Sequence, residues 1–319
     1  MTQIKRRIRG PFAALAIGTM AAVALAGCAG GTAVVPKPSE SAAPAASTPK
    51  GVEFNQAIQD MLPADIKSDR VIKVGITIGD APYIDKVNGK YEGIIAELAS
   101  DVSTILGVKF EYLEMPFPGL IPAMQAGKIQ MVWSSMFDNA DREKVIDMTT
   151  FARAGMGIAV VKGNPKKIQG IADLCGTVAG TTQGTVQEKA LVAQKAKCKA
   201  DGKPDLTLML YATQNDAYTQ IQAGKLDSVM LTYTPMVYQV AHIENGNALE
   251  STPWSSPAGY MATGAVKTAD GLIKALNAAL LQLEASGDYQ KVMTAHGAAP
   301  DILKADLLVV NGATSGVLK

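Results

Sequence analysis

The sequence predicts an α/β protein built from two similar lobes. Three observations carry that expectation. β-Branched runs alternate with segments of helical periodicity, one short pattern occurs twice about a lobe apart, and a body of roughly 270 residues suits two lobes of ordinary size.

The chain begins with Met1–Arg9, which holds Lys5, Arg6, Arg7 and Arg9 and no acid. An uncharged stretch, Pro11 to Ala26, follows. At about 1.5 Å per residue it reaches only about 24 Å, short of a roughly 30 Å hydrocarbon core. A basic start, a short apolar run and small residues at its end make residues 1–27 a signal peptide rather than a spanning helix. Leu25-Ala26-Gly27-Cys28 resembles the lipobox of bacterial lipoproteins, which implies a lipid on Cys28. The alternative is an ordinary secretory signal with a chance cysteine. Residues 28–52 are dominated by Gly, Ala, Ser, Thr and Pro and read as a flexible tether.

Val71–Ile78 is a β-branched run ended by Gly79, hence a buried strand. Glu92–Leu106 spaces Ile94, Leu98, Val102 and Ile105 as a helix does, and Val108–Leu113 is again strand-like. A short helix over Gly119–Ala126 and a strand at Met131–Trp133 come next. Further on lie strands at Ile158–Lys162, Leu206–Tyr211 and Ser228–Leu231, with helices from Gln183 and up to Ala223. Leu272, Leu276, Leu280 and Leu283 line one face of a late helix. Strands alternating with helices predict parallel sheets covered on both faces.

The repeated pattern is Gln125-Ala126-Gly127-Lys128-Ile129-Gln130 and Gln222-Ala223-Gly224-Lys225-Leu226-Asp227. In each, glycine stops a helix just before an apolar strand. The strands that follow run out at Ser134-Ser135 and at Thr232-Tyr233. Ligands of open α/β sheets bind beyond such strand ends, so two facing lobes predict a cleft there.

The chain carries 30 basic and 29 acidic residues; without the four basic leader residues it has 26 against 29, a net charge of −3. That excludes nucleic acid as an expected partner. With Cys28 lipidated, Cys175 and Cys198 remain. An exported chain favours their disulfide; two free buried thiols are the alternative. His242 and His296 stand at no zinc-ligand spacing from them, and neither a metal nor a cofactor is expected.

Phe117-Pro118-Gly119-Leu120-Ile121-Pro122, Ser134-Ser135 followed by Asp141-Arg142, and Asp173-Leu174-Cys175-Gly176 with Gly180-Thr181-Thr182-Gln183 together resemble the family 3 solute-binding proteins of ABC importers for polar amino acids. The resemblance spans roughly residues 60–297. It implies the type II periplasmic-binding-protein-like fold: two α/β lobes, a hinge and a ligand cleft between them. Lobe one would be 53–154 plus 257–300, lobe two 155–256, and 301–319 a C-terminal tail, with hinges at Ala152–Gly155 and Ser256–Gly259. The Cys175/Cys198 pair is similar to a disulfide in one branch of the family.

The resemblance also implies site roles. Arg142 would clamp a ligand carboxylate with its planar fork. Ser134 and Ser135 would offer hydroxyls and N–H groups to the same carboxylate. Thr181 and Thr182 would open a helix whose free N–H groups favour an anion. Phe117 would stack on the aliphatic part of the ligand, and Gln183 would touch its side chain. Met136, Phe137 and Trp133 hint at an apolar portion. Family members usually place an acid after the second-lobe strand, to meet the ligand ammonium. Here that position is Thr232 or Tyr233, so Asp80, after the first strand, is the candidate replacement; a plain turn residue is the alternative.

The function implied is a non-enzymatic, monomeric lipoprotein outside the cell membrane. It would capture a small carboxylate or amino acid and deliver it to an ABC permease and its ATPase. Two alternatives are a cyclohexadienyl-dehydratase-like enzyme on the same fold, which needs an acid/base pair in the cleft, and a ligand-sensing subunit of a receptor.

Overall fold

The computed structural model describes residues 51–256 and 259–318. The leader, Cys28, the tether up to residue 50, Pro257 and Ala258 of the second expected hinge, and Lys319 lie outside the described residues.

The strands are β1 Val71–Ile76, β2 Asp85–Val87, β3 Lys90–Glu92, β4 Lys109–Glu114, β5 Met131–Val132, β6 Ile146–Ala154, β7 Met156–Val161, β8 Val178–Thr182, β9 Thr207–Tyr211, β10 Ser228–Thr232, β11 Leu249–Ser255 and β12 Gly259–Val266. Among the described residues they form two five-stranded sheets, ordered β4-β1-β5-β12-β6 and β9-β8-β10-β7-β11, and a small β2-β3 hairpin. The two large sheets share one plan. β1 is parallel to β4 and β5, while β12 is antiparallel to β5 and β6. Likewise β8 is parallel to β9 and β10, while β7 is antiparallel to β10 and β11.

Each sheet is therefore mixed, where the sequence predicts parallel pairing throughout. The reason is the route of the chain. β7 and β12 each enter from the other lobe as extended chain, without the helical crossover that makes a neighbour parallel. At the first crossing β6 passes through Gly155 into β7. Met156 N–H donates to Ser256 Oγ at 2.7 Å, and Ser256 N–H donates to the Met156 carbonyl at 2.9 Å, so the two crossings lie side by side. Ala152–Ala154 of the first expected hinge are paired with β12, inside the strand.

Helix Ile94–Leu106 buries Ile94, Leu98, Val102 and Ile105, and helix Leu272–Ser286 buries Leu272, Leu276, Leu280 and Leu283, both in the main core of the first lobe. Leu120, Met124, Ile129 and Met148 belong to a separate core cluster of this lobe. In the second lobe the disulfide Cys175–Cys198, Cα–Cα 5.5 Å, ties the turn after Ile171–Leu174 to helix Val186–Ala200.

The repeated pattern is one structural device used twice. Gly127 and Gly224 take φ of 68° and 69°, the left-handed region that favours glycine. Lys128 and Lys225 N–H donate to the Ala123 and Gln220 carbonyls, each at 3.0 Å, completing the same helix stop. Gln130 then exchanges hydrogen bonds with the backbone of Lys73, and Asp227 does so with Val178. Each residue fastens the strand it introduces to the neighbouring central strand of its own sheet.

Residues 301–318, read from sequence only as a tail, lie against the first lobe. Asn311 N–H donates to the Met148 carbonyl, and the Glu143 carboxylate accepts from Ala313 and Thr314 N–H at 2.9 and 2.7 Å. This covers the edge of β6 and its unpaired backbone groups.

Candidate functional site

The ends of β1, β5, β8 and β10 face one another across a cavity between the lobes. It is small, with a volume of about 30 Å³. Its walls hold Asp80, Phe117, Ser134, Ser135 and Arg142 from the first lobe, and Thr181, Thr182 and Thr232 from the second. Of the nine residues named from sequence as ligand contacts, Gln183 alone is not on the wall.

Arg142 sits in the four-residue helix Ala140–Glu143, whose N-cap Asn139 accepts from the Arg142 N–H at 3.0 Å. Its guanidinium donates to the carbonyls of Phe137 and, across the cleft, Gly184. The Phe117 ring lies 5.4 Å from the guanidinium carbon, in cation–π range. Burial lowers the Arg142 pKa to about 10, which leaves it charged at neutral pH. Asp80 follows β1 and is 3% exposed; its carboxylate accepts from Gln214 Nε2 of the opposite lobe at 2.7 Å. Burial raises its pKa to about 6, against the hydroxyl of Ser135 and the Gln214 amide, which favour the charged form.

Thr181 and Thr182 end strand β8 rather than opening a helix. Gly184 takes a turn at φ 77°, and Thr185 is the N-cap of Val186–Ala200, accepting from Glu188 N–H. That extra turn leaves Gln183 exposed, its N–H bonded to the Tyr211 carbonyl. Thr181 donates to the Met230 carbonyl, while the buried Thr182 hydroxyl has no partner within the protein. Thr232 accepts from Gln187 Nε2 at 3.1 Å. Trp133 and Met136 are packed in the core, and only Phe137 of that trio reaches the cavity.

Sequence reasoning missed Thr77, Thr185, Gln187 and Gln214. Thr185 and Gln214 open helices, and Gln214 is the first residue after the N-cap of the capping box Thr213–Asp216, a pattern legible in the sequence. Further bonds join the lobes around the cavity. Lys189 pairs with Asp141 at 2.8 Å, and Asp301 accepts at 2.7 Å from both Tyr83 of the first lobe and Thr234 of the second. The described structure is therefore a closed one. Among the described residues no group of His, Cys, Asp and Glu is arranged to hold a metal ion.

Comparison with known proteins agrees with this architecture. The arginine-binding protein ArgT of Corynebacterium glutamicum is 26% identical over 255 residues, 79% of this chain and 82% of its own length. The L-arginine-binding protein of Pseudomonas aeruginosa is 26% identical over 236 residues, 70% of this chain and 87% of its own. An ancestral arginine-binding protein bound to arginine superposes with a TM-score of 0.65 at 27% identity, covering 71% of this chain and 97% of that one. Residues 72–298 match the family model of bacterial extracellular solute-binding proteins, family 3, and the chain belongs to that family.

Proposed function

We propose that this protein is an exported, lipid-anchored receptor that captures a small carboxylate-bearing solute, an amino acid or a derivative, and delivers it to an ABC permease. The observation that carries the reading is the buried Arg142 on the wall of a closed interlobe cavity, its fork shared between backbone carbonyls and open space. A carboxylate would take two charge-assisted hydrogen bonds from it. Ser134 and Ser135 would complete the carboxylate's shell, the free Thr182 hydroxyl would meet it from the other lobe, and Phe117 would cover the aliphatic part. A cavity this enclosed admits no solute unless the lobes part, so binding works by hinge closure.

Among the described residues the cavity wall holds one carboxylate and no histidine, which favours capture over proton-transfer chemistry. Lipid on Cys28 would hold the monomer beside its permease, where effective concentration replaces tight docking. The test is a thermal-shift screen of amino acids, amine-free carboxylates and carboxylate-free amines, because binding stabilises by RT ln(1 + [L]/Kd). Shifts confined to carboxylate-bearing compounds support the reading; shifts from carboxylate-free amines, or none from any carboxylate, contradict it. For the anchor, Cys28→Ser should release the protein from the membrane fraction, and unchanged retention argues against it.

A further inference from the structure

We propose that the cleft selects a solute carrying one carboxylate, one ammonium and no further charge, a net-neutral amino acid rather than a basic one. The inference rests on the reading of the cleft as a carboxylate site.

Among the described residues two charged side chains line the cavity, Arg142 and Asp80, both from the first lobe. Among the described residues the second lobe brings no charged side chain to the wall; its polar groups there include Thr182, Gln187, Gln214 and Thr232, beside the apolar Val186 and Leu231. Arg142 and Asp80 are buried, and neither is in an ion pair with another side chain among the described residues. Arg142 spends its hydrogen bonds on neutral carbonyls, and Asp80 on a neutral amide. Asp138, an acid whose charge would favour the Arg142 cation, is not a standing counter-charge. Burial and the neighbouring Glu143 raise the Asp138 pKa to about 8, so it is mostly neutral at pH 7, and the Glu143 charge is held by the N–H groups of Ala313 and Thr314.

The cavity thus presents one uncompensated charge of each sign. A zwitterion neutralises both and leaves none over. A basic amino acid brings a second cation, and no carboxylate on the wall remains to receive it; a buried charge without a counter-charge is strongly disfavoured. An amine-free carboxylate leaves Asp80 unpaired.

The experiment is calorimetric titration of the purified full chain with L-citrulline and L-arginine, which share a shape but differ in the charge of the side-chain end. A thermal-shift panel of neutral and basic amino acids and their deaminated analogues accompanies it. Neutral amino acids should dominate the panel, and citrulline should bind at least about thirtyfold more tightly than arginine. In Asp80→Asn, the advantage of a neutral amino acid over its deaminated analogue should fall at least about tenfold. Basic amino acids that bind as tightly as neutral ones overturn the inference while leaving the carboxylate site standing. So does a deaminated analogue that matches its parent in the unmodified protein. A panel in which nothing bearing a carboxylate binds overturns the underlying reading and the inference together.

Discussion

The two lobes share a strand plan, a helix stop and a way of fastening the next strand, yet they supply different chemistry to the cavity between them. The first lobe brings the charges, Arg142 and Asp80; the second brings hydroxyls and amides. The backbone device is kept in both because each sheet needs it to position the strand that ends at the cleft. The side chains at those ends are free to differ. On the proposed reading one lobe recognises charge, and the other closes over it with neutral hydrogen-bonding groups, some of which (Gln214 on Asp80, the Gly184 carbonyl on Arg142) already bridge to the first lobe.

The largest expected difference in stability lies in the second lobe. Replacing Cys175 and Cys198 by serine opens a link between residues 23 apart, at a cost of about 3 kcal/mol on the chain-entropy model. Denaturant melts should show that loss, and hydrogen exchange should place the added opening around Val186–Ala200 rather than around Ile94–Leu106. Uniform opening of both lobes would break the separation drawn between them.

Next comes the charge on the first lobe. The Asp80 pKa is raised from 3.8 to about 6. A raised acid favours the fold while protonated, so its contribution is complete below about pH 4 and is lost as pH rises through about 6. The ligand-free protein should lose about 2–3 kcal/mol from this group across that window. Asp80→Asn should flatten the profile there by that amount, in melts taken from pH 4 to 7. Parallel profiles would mean that Asp80 is not desolvated as the structure has it.

Closure should be tunable without touching the cavity. Asp301 lies beyond the matched residues 72–298 and receives hydrogen bonds from Tyr83 and Thr234, one from each lobe. Thr234→Val removes only the bond that crosses. It should weaken binding by about 1 kcal/mol, several-fold in Kd, and small-angle scattering should show a more open ligand-free protein. Unchanged scattering and affinity would remove Asp301 from the closing mechanism. The smallest effect tests the shared device itself. Gly127→Ala and Gly224→Ala each force alanine into a left-handed turn and should cost about 1 kcal/mol apiece, equally in the two lobes.

Much of this is legible in the sequence alone. The apolar periods of Ile94–Leu106 and Leu272–Ser286 mark their buried faces, and the glycine stops announce both strand ends. The motif around Ser134, Ser135 and Arg142 marks the segment that reaches the cavity. Other features escaped for physical reasons. β6 and β12 are reversed relative to each other because the chain crosses between lobes, and residue patterning carries no information about where a strand comes from. Thr181 and Thr182 lie on the cavity wall at the end of β8 rather than at a helix start, since Gly184 delays the helix until after Thr185. Gln187 and Gln214 reach the wall only because a second lobe folds over the first, and no local period reports that. Residues 301–318 lack an amphipathic period altogether. Their attachment combines backbone bonds, as from Ala313 and Thr314 to Glu143, with single buried side chains such as Leu303 and Leu308 at no regular spacing.

The division of labour between the lobes stands or falls on Arg142. The direct measurement is calorimetric titration of the unmodified protein and of Arg142→Ala with the neutral amino acid that gives the largest thermal shift. If the first lobe holds the ligand carboxylate through this buried guanidinium, the variant loses affinity by about 100-fold or more, with its ligand-free melting temperature within a few degrees of the unmodified protein. Equal affinities in the two proteins would contradict the account.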